Sequence, residues 1–401
     1  MARSVPALVE PEVLAWARKS RGFTVEQAAK KLQLKQEAVE EWESGERKPT
    51  VAQLRKAAKV YRRPLSVFYL PEPPRDFDAL RDFRQLPGEF LGAGPGLLAA
   101  IRRAYEIRNV ALDLAKTLGD EVPEFSISAT LDSDVSALAL RVRSALKISV
   151  ETQTRWKDLY TALRMWREAL ERLGVLVFQF PVPPLGPNKV DLSEARGFCI
   201  PAQQMPLIAV NASDALSGRV FTLFHELCHV LLRRSGVCDL ADVTKLPPEQ
   251  RNVEVFCNAF AAEFLLPKSD FKSRLSTKTK KRSWPESEIE DLSKTYCVSR
   301  EVVVRRLLEL NLTTQTFYRT KRTQYAVEVK KQRAAAKEKQ EEFRIPYSRL
   351  VLRSLGPNYA ASVLRAMHLG QITASSAAGY LGVKIKHLSR IEQSVFGRRA
   401  S

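Results

Sequence analysis

Phe221-Thr222-Leu223-Phe224-His225-Glu226-Leu227-Cys228-His229 is the stretch from which this 401-residue chain is best read. On a helix, residues four apart lie one turn apart on one face. His225 and His229 therefore reach one ion together, with Glu226 beside it. Phe221, Phe224, Val230, Leu231 and Leu232 supply apolar surface, and neither Pro nor Gly occurs from Arg219 to Ser235. A helix is predicted over Arg219–Arg234, ended by Gly236. Two imidazoles, one carboxylate and an open fourth position suit a catalytic zinc ion (Zn2+). The ion lowers the pKa of its water, and Glu226 can pass the proton to a leaving amine. The competing account is a helix whose two histidines are only packed and hydrogen-bonded. His368 and His387, the remaining histidines, lie far downstream and are expected to be structural or exposed.

A third ligand is available nearby. A helix predicted over Pro248–Leu266 carries Glu254 and Asn258 one turn apart. A carboxylate on a largely apolar helix needs a partner, and an ion would provide one for Glu254. The alternatives are a first-turn Glu that complements the helix dipole, or Glu263 as the ligand instead.

With these residues in place, a resemblance is evident. Residues 221–229, followed by Glu254-x-x-x-Asn258-Ala259-Phe260-Ala261-Ala262-Glu263-Phe264-Leu265-Leu266-Pro267, closely resemble the ImmA/IrrE family of metallopeptidases. Val298-Ser299 and Arg306-Leu307 are similar to the segment that follows the site in that family. The resemblance implies a minimal zincin-like domain over about residues 155–320. It also implies His225, His229 and Glu254 as zinc ligands and Glu226 as the catalytic carboxylate. Cys228 departs from it, since the family usually has Gly there. A quiet buried thiol is expected at Cys228, with oxidation sensitivity as the lesser alternative.

Short apolar runs at Val175–Phe180, Phe198–Ile200 and Leu207–Val210 predict three strands. Zincins commonly hold a peptide as an added strand. Leu207–Asn211, just before the motif, is the expected edge strand. The run Pro71-Glu72-Pro73-Pro74 lacks the backbone donors that strand addition uses, so it makes a poor substrate in cis.

Residues 12–70 read as short helices and resemble an XRE-type helix-turn-helix. The signals are Thr24-x-x-Gln27-Ala28-Ala29 and Trp42-Glu43-x-Gly45-x-x-x-Pro49. Such a fold lays the helix near Lys35–Ser44 in a DNA major groove. Here that helix carries Glu37, Glu40, Glu41 and Glu43 against Lys35, which opposes phosphate. An interaction or dimerisation module is the other account of this fold. Residues 357–396 also have helix-turn-helix spacing, with Lys384, Lys386 and Arg390 available to phosphates; a plain packing module is the alternative.

The net charge is +19, and it is uneven. From Phe271 to Ser401 there are 27 Lys+Arg against 11 Asp+Glu. That imbalance suggests a polyanion or an acidic partner, or else a solvated surface. Any DNA binding is expected mainly from this region, largely non-specific and steeply salt-dependent. Five cysteines at scattered spacings, with no CxxC, argue against a disulfide framework and a Cys-type zinc finger. The N-terminus lacks a secretory apolar core, and no apolar run approaches the roughly 18 residues of a membrane span. A cytoplasmic location is expected.

The fold class expected is mainly α with a small antiparallel β-sheet: a zincin-like domain flanked by helical, helix-turn-helix-like modules. The divisions are 1–70 (helix-turn-helix), 71–154 (linker and helices), 155–320 (peptidase), 321–346 (basic connector) and 347–401 (basic helical module). The expected activity is a zinc endopeptidase that cleaves a helix-turn-helix transcriptional repressor in trans, derepressing stress-response or mobile-element genes. The alternative is a DNA-binding regulator or antitoxin-like protein whose metal site is structural or idle. Expected partners are the protein substrate, DNA, no membrane, and a second copy of the chain in a homodimer.

Overall fold

The structure is a computed structural model. It describes residues 6–61, 63, 65–73, 94–181, 190–234, 236–238, 247–275, 283–339 and 346–397, with backbone alone at 236–238, 330 and 332–339. Part of the proline run, at Pro74, and the prolines at 183 and 184 lie outside the described residues. The chain forms two compact units, Met1–Glu106 and Ile107–Ser401. The division falls within the helix Pro95–Leu118.

In the first unit, α1 spans Pro11–Lys19, with Pro11 opening it where an amide donor is not needed. Thr24 and Gln27 cap α2 (Val25–Leu32) reciprocally. α3 (Gln36–Ser44) stops at Gly45, whose φ of 86° suits only glycine well. α4 spans Val51–Tyr61. Trp42, Leu54, Tyr61 and Phe68 are buried at the centre of these helices.

The second unit holds a four-stranded sheet in the order β1-β3-β2-β4: β1 Leu176–Phe180, β2 Gly197–Ile200, β3 Leu207–Asn211 and β4 Gly236–Cys238. The sheet is mixed rather than purely antiparallel: β1 runs parallel to β3, while β2 is antiparallel to β3 and to β4. β1 and β3 pair in parallel although β2 lies between them in sequence, because β2 pairs on the far side of β3. Leu207–Asn211 is therefore not an edge strand. It pairs on both sides, and all five of its residues are buried. A continuously apolar strand with both neighbours present is an interior strand.

Two helices lie beside this sheet. The motif helix, Leu216–Leu231, starts three residues earlier than predicted and accepts Gly218 in its first turn. The facing helix, Pro248–Leu265, packs along it. Fully buried Trp166, from the helix Leu159–Arg172, meets Phe224 edge-on at 4.9 Å and Phe264 at 5.2 Å. Phe224 and Phe264 stack at 4.0 Å. One aromatic cluster thus joins the residue before His225 to the far end of the facing helix.

Candidate metal centre

The motif helix is buried along its whole inner length, because it lies between the sheet and the facing helix. Glycine at 197 in β2 makes this approach possible. A Cβ there would come within 2.5 Å of Thr222 Cγ2 and 3.2 Å of Glu226 Cγ. The helix therefore rests on β2 at Glu226 itself.

His225, His229 and Glu254 come together, their ligand atoms within 4.8 Å of one another. His225 Nε2 is 3.1 Å from Glu254 Oε2, His229 Nε2 is 3.2 Å from Glu254 Oε1, and the two Nε2 atoms are 3.2 Å apart. Ligand atoms about 2.0–2.1 Å from a tetrahedral ion stand roughly 3.3 Å from each other. The three groups already have nearly that spacing, and nitrogen and carboxylate oxygen suit zinc. The residues present fit the metal.

Glu254 lies near the start of the facing helix and Asn258 one turn on. His225 Nδ1 donates to Asn258 Oδ1 at 3.2 Å. That bond keeps the proton on Nδ1 and leaves the Nε2 lone pair for the ion. Burial pushes the His225 imidazole down, towards its neutral, ligating form. Burial alone would push the Glu254 carboxyl up, but the imidazoles of His225 and His229 facing it outweigh burial and lower it to about 2. Glu254 is therefore held towards its charged form. Glu226, fully buried, sits on the same helix as His225 and His229.

Glu263, the alternative ligand, is engaged elsewhere. It lies 3.2 Å from the guanidinium of buried Arg306 and accepts from the Lys268 amide. His368 stands 2.8 Å from Glu392, and the His387 ring packs on Tyr347 at 5.2 Å. Cys228 and Cys257 are both buried thiols. Burial pushes the Cys257 thiol well up, which makes it a poor nucleophile.

Three supporting features were not anticipated from the sequence: Gly197, the pairing of Asn258 with His225, and Arg143. Buried Arg143 donates to the carbonyls of Phe264 and Ile148 and to Gln153. Gln153 donates in turn to the carbonyl of Leu265 at 2.9 Å. These bonds satisfy the carbonyls left open at the end of the facing helix. The sequence places Asn258 one turn from Glu254; the other two carry no local signal, since Gly197 meets the motif helix and Arg143 reaches Phe264, both across the fold.

Two family models match the chain. Residues 170–308 match the IrrE N-terminal-like domain of the peptidase M78 family, which is of zinc-metallopeptidase type. Residues 14–68 match a helix-turn-helix family. No curated protein matches the chain. One segment of the chain is thus similar to a metallopeptidase-type domain and another to a helix-turn-helix, in agreement with the architecture expected from its motifs. No helix among the described residues is long and apolar enough to cross a membrane.

Proposed function

We propose that this protein is a zinc-dependent regulatory endopeptidase acting in trans on a helix-turn-helix transcriptional repressor. The observation that carries the proposal is the His225, His229 and Glu254 triangle at 3.1–3.2 Å, next to buried Glu226. His225, His229 and Glu254 are the metal ligands in this account. Zinc held there supplies Lewis acidity and a water that ionises near neutral pH. Glu226 takes the proton of the attacking water and returns it to the leaving amine. Asn258 keeps His225 in the ligating tautomer.

Among the described strands β4 lies at one end of the sheet, and the substrate segment is assigned to its outer edge, as an added strand. Two observations support this choice. β3 is interior, and β2, the partner of β4, carries Gly197 against Glu226. Pro71 and Pro73 lack the donors that such pairing needs, which favours a substrate in trans over cleavage of the chain's own linker. The N-terminal unit has the fold to recruit a repressor by packing like against like, in a cytoplasmic setting. The helix-turn-helix match supports the alternative, a DNA-binding regulator with an idle metal site. The carboxylates on α3 weigh against it.

The test is to incubate the zinc-loaded protein with a helix-turn-helix protein encoded beside it, and to map fragments by mass spectrometry. Cleavage of the partner by wild type but not by Glu226→Gln is expected. Concentration-independent cleavage within residues 1–90 would instead establish self-processing, and no cleavage of either would favour the alternative.

A further inference from the structure

The peptidase account leaves the C-terminal module without a task. Between Pro346 and Gly397, Arg349, Arg353, Arg365, Lys384, Lys386 and Arg390 stand against a single acid, Glu392. That acid is itself engaged, 2.8 Å from His368.

The module divides into a docking half and a presenting half. The helices Tyr347–Leu355 and Pro357–His368 attach it to the rest of its unit. The Arg353 carbonyl accepts from Arg167 at 2.9 Å and from Gln179 at 3.1 Å, Asn358 donates to Glu171 at 2.7 Å, and Tyr359 meets Phe178 edge-on. The next two helices are Ala374–Leu381 and Leu388–Phe396. Thr373 caps the first, and Gly382, with φ 65°, ends it. A short turn at Ile385–His387 runs into the second. Tyr347 Oη donates to the Gly382 carbonyl at 3.2 Å and pins this turn. Leu381, Leu388 and Ile391 point inward and are buried. Lys384, Ile385, Lys386, Ser389, Arg390 and Gln393 are exposed.

We propose that this helix pair binds duplex DNA, with Lys384, Lys386 and Arg390 on backbone phosphates and Ile385, Ser389 and Gln393 facing the major groove. A helix, a glycine-ended tight turn and a second helix with a cationic, exposed start is the arrangement that enters that groove. A module built only for packing would cover Ile385, yet it is 56% exposed between two lysines. A groove face needs such a mixture: cations for phosphates, a small apolar group for thymine methyls, and polar side chains for base edges. An open groove of about 460 Å3 runs beside the turn, with Tyr347, Gly379, Gly382, Lys384, Lys386 and His387 on its walls. α3 of the first unit has the opposite character, with Glu37 and Glu40 exposed. The sign of charge therefore assigns duplex binding to the C-terminal pair.

The test measures affinity of the full-length protein for a labelled 20-base-pair duplex by fluorescence anisotropy across a salt series. The triple variant Lys384→Ala, Lys386→Ala, Arg390→Ala is compared with a control, Lys272→Ala, Arg319→Ala, Lys331→Ala, which removes the same charge from exposed sites elsewhere. Each phosphate contact contributes about 0.9 to the slope of log K against log salt. The triple variant is expected to lose at least about tenfold in affinity near 0.1 M salt and about 2–3 in slope. The control is expected to change little. Circular dichroism of both variants must match wild type. Equal losses in the two variants, no duplex binding by wild type, or displacement of the duplex by poly-glutamate as readily as by unlabelled duplex would each overturn the proposal.

Discussion

His225 shows how much of the candidate site rests on single contacts. Its Nδ1 bond to Asn258 is the link that, in the proposed site, leaves Nε2 for an ion. Asn258→Ala should leave the fold intact, because the residue is only half-buried at the site's margin. It should weaken zinc binding about 10–100-fold, as loss of a bond behind a histidine ligand commonly does. Competition with a chelator measures this, and unchanged affinity would mean that Asn258 does not orient the ring. The His-Glu-x-x-His spacing was legible in the sequence because helix periodicity converts it directly into geometry. Gly197 was not. Its meaning lies in contacts with Thr222 and Glu226, and no local pattern announces a close approach between a strand and a helix. Glu43 was also misjudged as free to face DNA. It forms a 2.6 Å ion pair with Arg18 inside the first unit.

At the scale of elements, the two helices that carry His225, His229 and Glu254 were foreseen to within a few residues, since both are long and apolar on one side. The three predicted strands also occur. The place of one of them was the failure: a run such as Leu207–Asn211, expected at the edge, reads the same whether its neighbours are one or two. β4 escaped because three residues after a helix carry no alternation, and Gly236 reads equally as a helix stop. Docking of the C-terminal helices was likewise hidden in distant partners. Arg167 bonds at once to Glu171, to the Val177 carbonyl and to the Arg353 carbonyl. Gly356, at φ 87°, leaves room for the guanidinium, which a Cβ would meet at 2.3 Å. Arg167→Met should strand buried Glu171 without its cation and destabilise the unit by about 3–5 kcal/mol. The C-terminal helices should then become the first sites of limited proteolysis; an unchanged cleavage pattern would show that Arg167 does not hold them.

Glu286 joins the helix Glu286–Tyr296 to the long helix Gln315–Lys339. Lys321 lies 2.5 Å from it, Tyr325 donates at 3.0 Å and Arg300 pairs at 2.8 Å. Burial pushes this carboxyl up, but these partners outweigh it and hold it below its usual 4.5. A carboxyl that titrates lower when folded stabilises the fold above about pH 4.5, and that contribution fades as acid protonates the folded form. Glu286→Gln should therefore unfold at lower urea than wild type at pH 7, with the gap closing towards pH 3. A gap that stays constant with pH would assign the effect to packing.

For the whole molecule, the uneven charge was legible by simple counting, and the resemblance identified both matched domains. Neither indicates what the protein acts on. In the proposed division of tasks, metal-dependent cleavage falls to the sheet and its two helices, recruitment of a repressor to the first unit, and duplex binding to the C-terminal pair. If so, variants at Lys384, Lys386 and Arg390 should leave the zinc content unchanged, and Glu226→Gln should leave duplex affinity unchanged. Everything in the peptidase account depends on the ligand triangle. Its most direct test is elemental analysis of purified wild type, His225→Ala and Glu226→Gln. The account predicts one zinc per chain in wild type and in Glu226→Gln, and loss of most of it in His225→Ala. Equal zinc in wild type and His225→Ala would contradict it.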